Sequence, residues 1–587
     1  MGPTVGVVSA SLGGDYSGSL LGGIAAGVRA VGGRLVTIRT MDAGVFAFDF
    51  DDPTLLRAEV AWDRVSGLIV TVNSADATYL SAFRRTGKPV VTVSDLVEGF
   101  ACPAVLPDNG SGITAAVRHL VDHGHRRIAF AGHLVQRDIR ERHAAYRQAL
   151  RDLGITPDPA LFYESGSNVL RGGTDAARFL IRDGMPATAL IAGTDLNAVG
   201  IMRTLVEAGY EVPRDLAVIG FDDSAVAAHQ TPSLSSVRQP IREIGVRAVE
   251  LLVDLVEGRP TAPGPHLMPT ELVVRESCGC PPALVLDDLS HPSGACSADE
   301  LAEQMTGILC HGRIERVRDA GAVRVAARTL VDVLDRAARG SDGSPQPELR
   351  ATFEGLERLS GDPERLTRLI HCLHAYGRNL VASPRYRADR SVAERVEAAV
   401  RGLSIGLSQA DARAQRTDTN RFVETLVEQY TLSVHLLGSD REDPRTLAWL
   451  RHTDARAGCL GLWPGGVGAA GQDRLALVAS FDRDGARQRQ EPGPVTTRAF
   501  PPQELVDLAD LDDDLFCYVA PLRVRGRDRG WLSLVGRLEA DLPTGRETMN
   551  QWAALLTVAL EHRDMMQSLR EQEEQLRHAA LYDELTD

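Results

Sequence analysis

From Thr4 to about Glu276, short apolar runs alternate with stretches whose apolar positions fall three and four residues apart. The runs are TVGVVSA, RLVTIR, GLIVTV, PVVTVS, RIAFAG, ATALIAG and LAVIGFDD. Most are apolar on both faces, as strands must be when helices cover both sides of their sheet. Their alternation with amphipathic helices predicts a parallel α/β fold. Such folds bind ligands beyond the carboxyl ends of the strands, and that is where polar residues follow each run. Asp15 and Tyr16 come after the first run, Thr194 and Asp195 after ALIAG, Asp222 and Asp223 after VIGF, and Arg142 near the start of the helix after RIAFAG.

Beyond Glu276 the pattern changes. Residues 281–298, rich in Asp, Ser and Pro, read as a linker. Residues 299–420 keep a helical spacing through ELAEQMTGILC, AVRVAARTLVDVLDRAAR, PERLTRLIHCLHAYGRNL and SVAERVEAAVRGLSIGLSQA, with a loop at GSDGSPQP. They predict a helical connector, opened by a capping box at Ser297 and Glu300. Residues 421–563 pass from helix to strands and back to helix. The final helix, over residues 555–580, keeps a heptad through Leu555, His562, Leu569 and Leu576 with Val558, Met565, Gln572 and Ala579 on the companion positions. That spacing predicts a parallel coiled coil and a homodimer.

With 587 residues the chain should hold roughly three or four domains. The net charge of -15, with Lys88 the only lysine, argues against a nucleic-acid surface, because acidic charge repels phosphate backbones. No run of about 18 apolar residues exists and TVGVVSA is too short for a signal peptide, so no membrane partner and a cytoplasmic location are expected. Eight scattered cysteines make no disulfide framework. His119, His123 and His125 in RHLVDHGHRR come without the carboxylates that often complete a metal site and read as a solvated helix end. Cys278 and Cys280 in RESCGCPP, with Cys296 beyond, offer two ligands at close spacing and no fourth nearby. They read as structural, and no metal site is expected.

Four stretches in order, LPDNGSGITAAVRHLVDHGHRRIAFAG, GTDLNAVGIMRTLVEAGYEVPRDLAVIGFDDS, TPSLSSVRQPIREIGVRAVELL and PTELVVRES, resemble the ligand-binding domain of the lac repressor (LacI/GalR) family. The resemblance covers residues 1–280 and implies a two-lobed, periplasmic-binding-protein-like α/β domain. It implies three crossovers, near Leu106, Ser236 and Met268, and a small effector held between the lobes. The effector-contacting positions of that family fall on Tyr16, Arg142, Thr194 and Asp222, with Asp15 and Asp195 as secondary candidates. Thr194 stands where relatives often have Asn. Asp195 and Asp223 also read as helix caps or turn residues. A sugar, a nucleobase or a similar ligand would suit an aromatic face, a guanidinium fork and a carboxylate.

Residues 421–563, through APLRVRGRDRGWLSLVG and the helix after it, resemble a GAF-type sensory module. The closing LRHAALYDELTD resembles the entry to the GGDEF domain of diguanylate cyclases, on Asp583, Leu585, Thr586 and Asp587. These resemblances imply a sensor region that controls diguanylate cyclase output. Residues 581–587 would begin that output domain, and GTP and Mg would bind only in its absent remainder. The chain itself is expected to have no cofactor and no catalytic activity. The alternative is a LacI-type transcriptional regulator whose DNA-binding headpiece is missing from this chain, since the first strand starts by Thr4.

Overall fold

The computed structural model describes residues 2–42, 55–262, 264–280, 297–310, 320–340, 346–357, 363–438, 443–464, 473–485, 493–524, 527–538 and 548–583. The first part runs β1 (Thr4–Ser9), α1 (Gly14–Ala30), β2 (Arg34–Arg39), β3 (Gly67–Val70), α2 (Ala77–Arg84), β4 (Val90–Val93), β5 (Ala104–Pro107), α3 (Asn109–Asp122), β6 (Ile128–Gly132), α4 (Arg137–Asp152), β7 (Phe162–Glu164) and α5 (Leu170–Arg182). It continues with β8 (Ala189–Ala192), α6 (Asp195–Glu207), β9 (Ala217–Asp222), α7 (Ala225–Ala228), β10 (Ser235–Arg238), α8 (Ile241–Val256), β11 (Pro265–Met268) and β12 (Glu271–Val273). Helices α9 (Ala298–Cys310), α10 (Ala320–Arg339), α11 (Gln346–Glu357), α12 (Pro363–Ala382) and α13 (Arg390–Gly438) follow. Last come β13 (Ala457–Leu462), β14 (Arg474–Asp482), β15 (Pro494–Thr496), α14 (Gln503–Val506), β16 (Leu515–Val524), β17 (Arg527–Arg537) and α15 (Thr548–Asp583).

Two compact units divide the chain: Met1–Asp108, Pro240–Pro269 and Leu426–Asp587 form the first, Asn109–Gln239 and Thr270–Thr425 the second. The chain thus changes unit after residues 108, 239, 269 and 425, and the first three changes lie beside the crossovers expected at Leu106, Ser236 and Met268.

In the first unit the described strands form one sheet in the order β11-β5-β4-β3-β1-β2-β16-β17-β13-β14-β15. The part from β11 to β2 is parallel, and the pairs among β13 to β17 are antiparallel. The two join where β2 pairs in parallel with β16, Val36 opposite Cys517 and Ile38 opposite Val519. A strand edge carries unpaired N–H and C=O groups, and β16 satisfies them. Side chains alternate across the seam. Leu35 shares one core with Phe516 and Tyr518, while Val36 and Ile38 share the other with Cys517 and Val519. Arg523 spans the junction, donating to the Thr40 carbonyl at 3.2 Å and to Asp42 at 2.7 Å. This strand pairing, between segments about 480 residues apart, holds Leu426–Asp587 in the same unit as Met1–Asp108, while the second unit continues past residue 280 and ends at Thr425, close to the boundary expected after residue 420.

The expected hairpin over APLRVRGRDRGWLSLVG is β16 and β17. The expected heptad lies on α15, a single helix whose Val558, Met565, Leu569 and Leu576 are exposed. Residues 584–587, which carry most of the GGDEF-like phrase, lie outside the described residues.

In the second unit the sheet runs β12-β10-β9-β8-β6-β7, parallel except for β12 against β10. Helices α9 to α12 and the first turns of α13 build a separate core around Met305, Leu330, Leu334, Leu373 and Val396. The capping box forms as expected: the Ser297 N–H donates to the Glu300 carboxylate at 2.7 Å, and the Glu300 N–H donates to the Ser297 hydroxyl at 3.2 Å. Among the described residues no helix is long and apolar enough to cross a membrane.

Candidate effector site

Three parallel strands of the second unit end together, and their ends assemble a polar cluster. Arg142 reaches it from the second turn of α4, with its side chain only 2% exposed. Its Nε donates to Asn109 Oδ1 at 3.0 Å and its Nη1 to the Gly193 carbonyl at 2.7 Å. The same Nη1 lies 3.5 Å from Asp222 Oδ1, Nη2 lies 3.1 Å from Asp138, and the guanidinium stacks 3.7 Å above the Phe221 ring. Only a planar fork with five N–H donors can serve so many partners from one place.

Asp222 closes β9 with a φ of +115°, and Asp223 follows at +52°. Two consecutive non-glycine residues in this region cost about 1 to 3 kcal/mol each, so the surroundings must hold them there. Asp222 accepts from Gln239 Nε2 at 2.6 Å. Asp223 lies 2.7 Å from both Arg238 and Arg275. Burial pushes the Asp222 carboxyl up to about 6, against the opposing pull of Arg142.

The helix-cap role expected of Asp195 falls to its neighbour Thr194. The helix cap is Thr194, whose hydroxyl accepts from the Asn197 N–H at 3.2 Å and donates to the Asn168 carbonyl at 2.9 Å. Asp195 is fully buried in the first turn of α6. It accepts from the Ser224 N–H and hydroxyl at 2.7 and 3.0 Å and from the Ser236 hydroxyl at 2.5 Å. Burial, reinforced by Asp222 beside it, raises its pKa well above the usual carboxylate range. Gly220 makes room for it, since a Cβ there would stand 2.2 Å from Asp195 Oδ1. Asp195 is therefore a tie between β9, β10 and α6, and Asp223 is a turn residue locked by two arginines.

Asn109 and Gln239 were not singled out in the sequence, although the same rule points to them. Gln239 follows β10 immediately, and Asn109 comes two residues after the end of β5, as the first residue of α3.

Tyr16 and Asp15 lie in the first unit, in the opening turn of α1. The Tyr16 hydroxyl donates to Ser94, which has a φ of +61° just past β4. The ends of β1 and β3 meet nearby, Thr71 bonding Ser9 at 3.0 Å and Ser74 at 3.1 Å. A cavity of about 260 Å³ opens in this unit beside Thr71, Asn73, Thr92, Asp95 and Glu98.

The sequence suggested a solvated helix end for His119 and His123; His123 is indeed exposed and His119 is partly buried, yet both rings have side-chain partners. In the second unit they meet Cys278 and Cys280, so the two groups dismissed separately form one cluster. His125 stands apart, bonded to Thr188 at 2.9 Å.

Residues 117–278 match the family model described as a periplasmic binding protein-like domain. The chain is 32% identical over 222 residues to the HTH-type transcriptional regulator MalR of Streptomyces coelicolor, covering 37% of this chain and 64% of that protein. It is 38% identical over 171 residues to the HTH-type transcriptional regulator CelR of Thermobifida fusca, covering 29% and 50%. Among solved structures it is similar to the transcriptional regulator CelR-cellobiose complex, at 29% identity, 47% of this chain, 84% of that chain and a TM-score of 0.40. The chain thus spans between 50% and 64% of the length of these two curated relatives.

The relatives are transcriptional regulators, which overturns the expectation that the chain controls a diguanylate cyclase. Four matching residues at the chain's end were too short a pattern to carry that reading. The fold, the polar strand ends and the family match agree for the earlier part: the chain carries a two-lobed, periplasmic-binding-protein-like ligand-binding domain of the LacI/GalR type.

Proposed function

We propose that this chain is the effector-sensing region of a transcriptional regulator, acting in the cytoplasm and passing a small-molecule signal to DNA binding by the whole protein. The observation that carries the reading is the Arg142, Asp222, Gln239 and Asn109 cluster at the strand ends of a domain that matches such regulators. Tyr16, Arg142, Thr194 and Asp222 are the proposed effector contacts. A donor fork beside paired carboxylate and amide groups suits a ligand with several hydroxyls, such as a sugar or nucleoside. Asp195 is spent on internal bonds and supports the site from behind.

Thermal unfolding of the full chain against a panel of sugars and nucleosides tests this. One compound should raise the midpoint, and Asp222→Asn should weaken its binding by about 10- to 100-fold, the consequence of losing about 1.5 to 3 kcal/mol from one charged hydrogen bond. Equal binding by the variant would remove Asp222 from the site. If the product of the native gene binds its own promoter identically with and without that compound, the regulatory reading fails.

The antiparallel sheet of β13 to β17, backed by α15, supports reading residues 421–563 as a GAF-like module, and the exposed stripe on α15 supports a homodimer. Leu569→Glu with Leu576→Glu should convert dimer to monomer in analytical ultracentrifugation. A wild-type chain that is monomeric at all concentrations would refute the dimer.

A further inference from the structure

We propose that His119, His123, Cys278 and Cys280 bind one zinc ion that fastens the end of the LacI/GalR-type domain to helix α3. The four residues come from two places about 160 positions apart. His119 lies in the last turn of α3, and His123 follows one turn later, its N–H bonded to the His119 carbonyl at 3.1 Å. Residues i and i+4 share a helix face, so both rings point the same way, with centroids 4.3 Å apart. Facing them, Cys278 ends a single 3-10 turn (Glu276–Cys278), Gly279 follows at a φ of +91°, and Cys280 comes next. A left-handed turn between the two cysteines is what presents both thiols to α3, and glycine adopts it without strain.

The distances are those of a ligand set. His119 Nε2 is 3.2 Å from Cys278 Sγ and 3.7 Å from Cys280 Sγ, and His123 Nε2 is 3.2 Å from Cys280 Sγ. The donor atoms of His119, His123 and Cys280 all lie within 4.8 Å of one another. For zinc bonds of ~2.3 Å to sulfur and ~2.0 Å to nitrogen, a tetrahedron has sulfur-to-nitrogen edges of ~3.5 Å. The three observed separations bracket that value.

The surroundings also prepare the site. His123 Nδ1 lies 2.8 Å from the His119 carbonyl. A carbonyl only accepts, so Nδ1 carries the hydrogen and Nε2 presents its lone pair toward Cys280, the arrangement that orients a metal-bound imidazole. Cys278 and Cys280 are buried among the apolar side chains of the second unit, while His123 is exposed and leaves an entry path. Two thiols and two imidazoles suit zinc better than magnesium or calcium, which take oxygen ligands. Four protein donors leave no open position, so the ion is structural. It would hold the chain where the domain ends, two residues after the short turn of Glu276–Cys278.

Elemental analysis of the full chain, purified under reducing conditions without chelator, should find about one zinc per chain. After stripping and refilling with cobalt, a thiolate-to-cobalt charge-transfer band and strong tetrahedral d–d absorption should appear. Both should vanish in Cys278→Ser with Cys280→Ser. His123→Ala, at an exposed position that leaves the fold intact by circular dichroism, should weaken cobalt binding at least tenfold in competition with a chromophoric chelator. Zinc at background with no cobalt band in the reduced wild-type chain would overturn the proposal. So would zinc retained in the double serine variant, unchanged cobalt affinity in His123→Ala, or copper or iron recovered in place of zinc.

Discussion

Replacing Arg142 with alanine is expected to destabilise the second unit by about 3 to 5 kcal/mol, the cost of removing one partner from a buried ion pair. The guanidinium is 2% exposed and serves Asn109, the Gly193 carbonyl, Asp138 and Asp222 together. Alanine leaves the two carboxylates facing each other and strips the Asn109 side chain and the Gly193 carbonyl of their donor, besides removing the plane that covers Phe221. Lysine would keep the charge yet lose the fork, so Arg142→Lys should fall between wild type and alanine. Denaturant unfolding of the full chain, followed by circular dichroism, measures this. A loss below about 1 kcal/mol would place Arg142 among exposed salt bridges of little weight. The same burial means that Arg142→Ala would disturb folding as well as any binding, so Asp222→Asn is the better probe of the proposed effector site.

The second large effect is a dependence on pH. Asp222 has an ordinary value of 3.8 and is pushed up to about 6 in the fold, chiefly by burial and further by Asp138, while Arg142, Gln239 and the Asp195 N–H pull the other way. The folded chain therefore holds this proton more tightly than the unfolded chain does. Stability from this residue is absent well above pH 6, grows as pH falls through about 6, and is complete below 3.8. The displacement corresponds to about 2 to 3 kcal/mol. Wild type should gain that much relative to Asp222→Asn between pH 7 and pH 4 in matched denaturation series. Asp195, shifted in the same direction, leaves a residual slope in the variant. Parallel curves for the two proteins would show that Asp222 keeps an ordinary carboxylate pKa.

Part of the site was legible because strand ends are legible. ALIAG and VIGF are continuous apolar runs, so the residues after them had to lie at the rim of a parallel sheet, and Thr194 and Asp222 do. Which polar residue faces outward and which is buried was not legible. Thr194 and Asp195 are adjacent, both have oxygen-bearing side chains and both suit a helix start. The choice between cap and buried tie depended on Ser224 and Ser236 arriving from elsewhere. The GGDEF-like ending erred differently, since a few residues of matching type carry little information without the fold that would follow them.

Hydrophobic period and strand-end chemistry, both properties of neighbouring residues, were enough to determine the α/β class of residues 1–280 and the position of Arg142 after a strand, while the three crossovers came from the family resemblance. The tertiary structure alone decided the rest. It joined β2 to β16 across about 480 residues and brought the histidines at the end of α3 to the cysteines at the end of the domain. Edge pairing and side-chain clusters depend on distance in space, and a local pattern does not encode which remote segment will supply the partner.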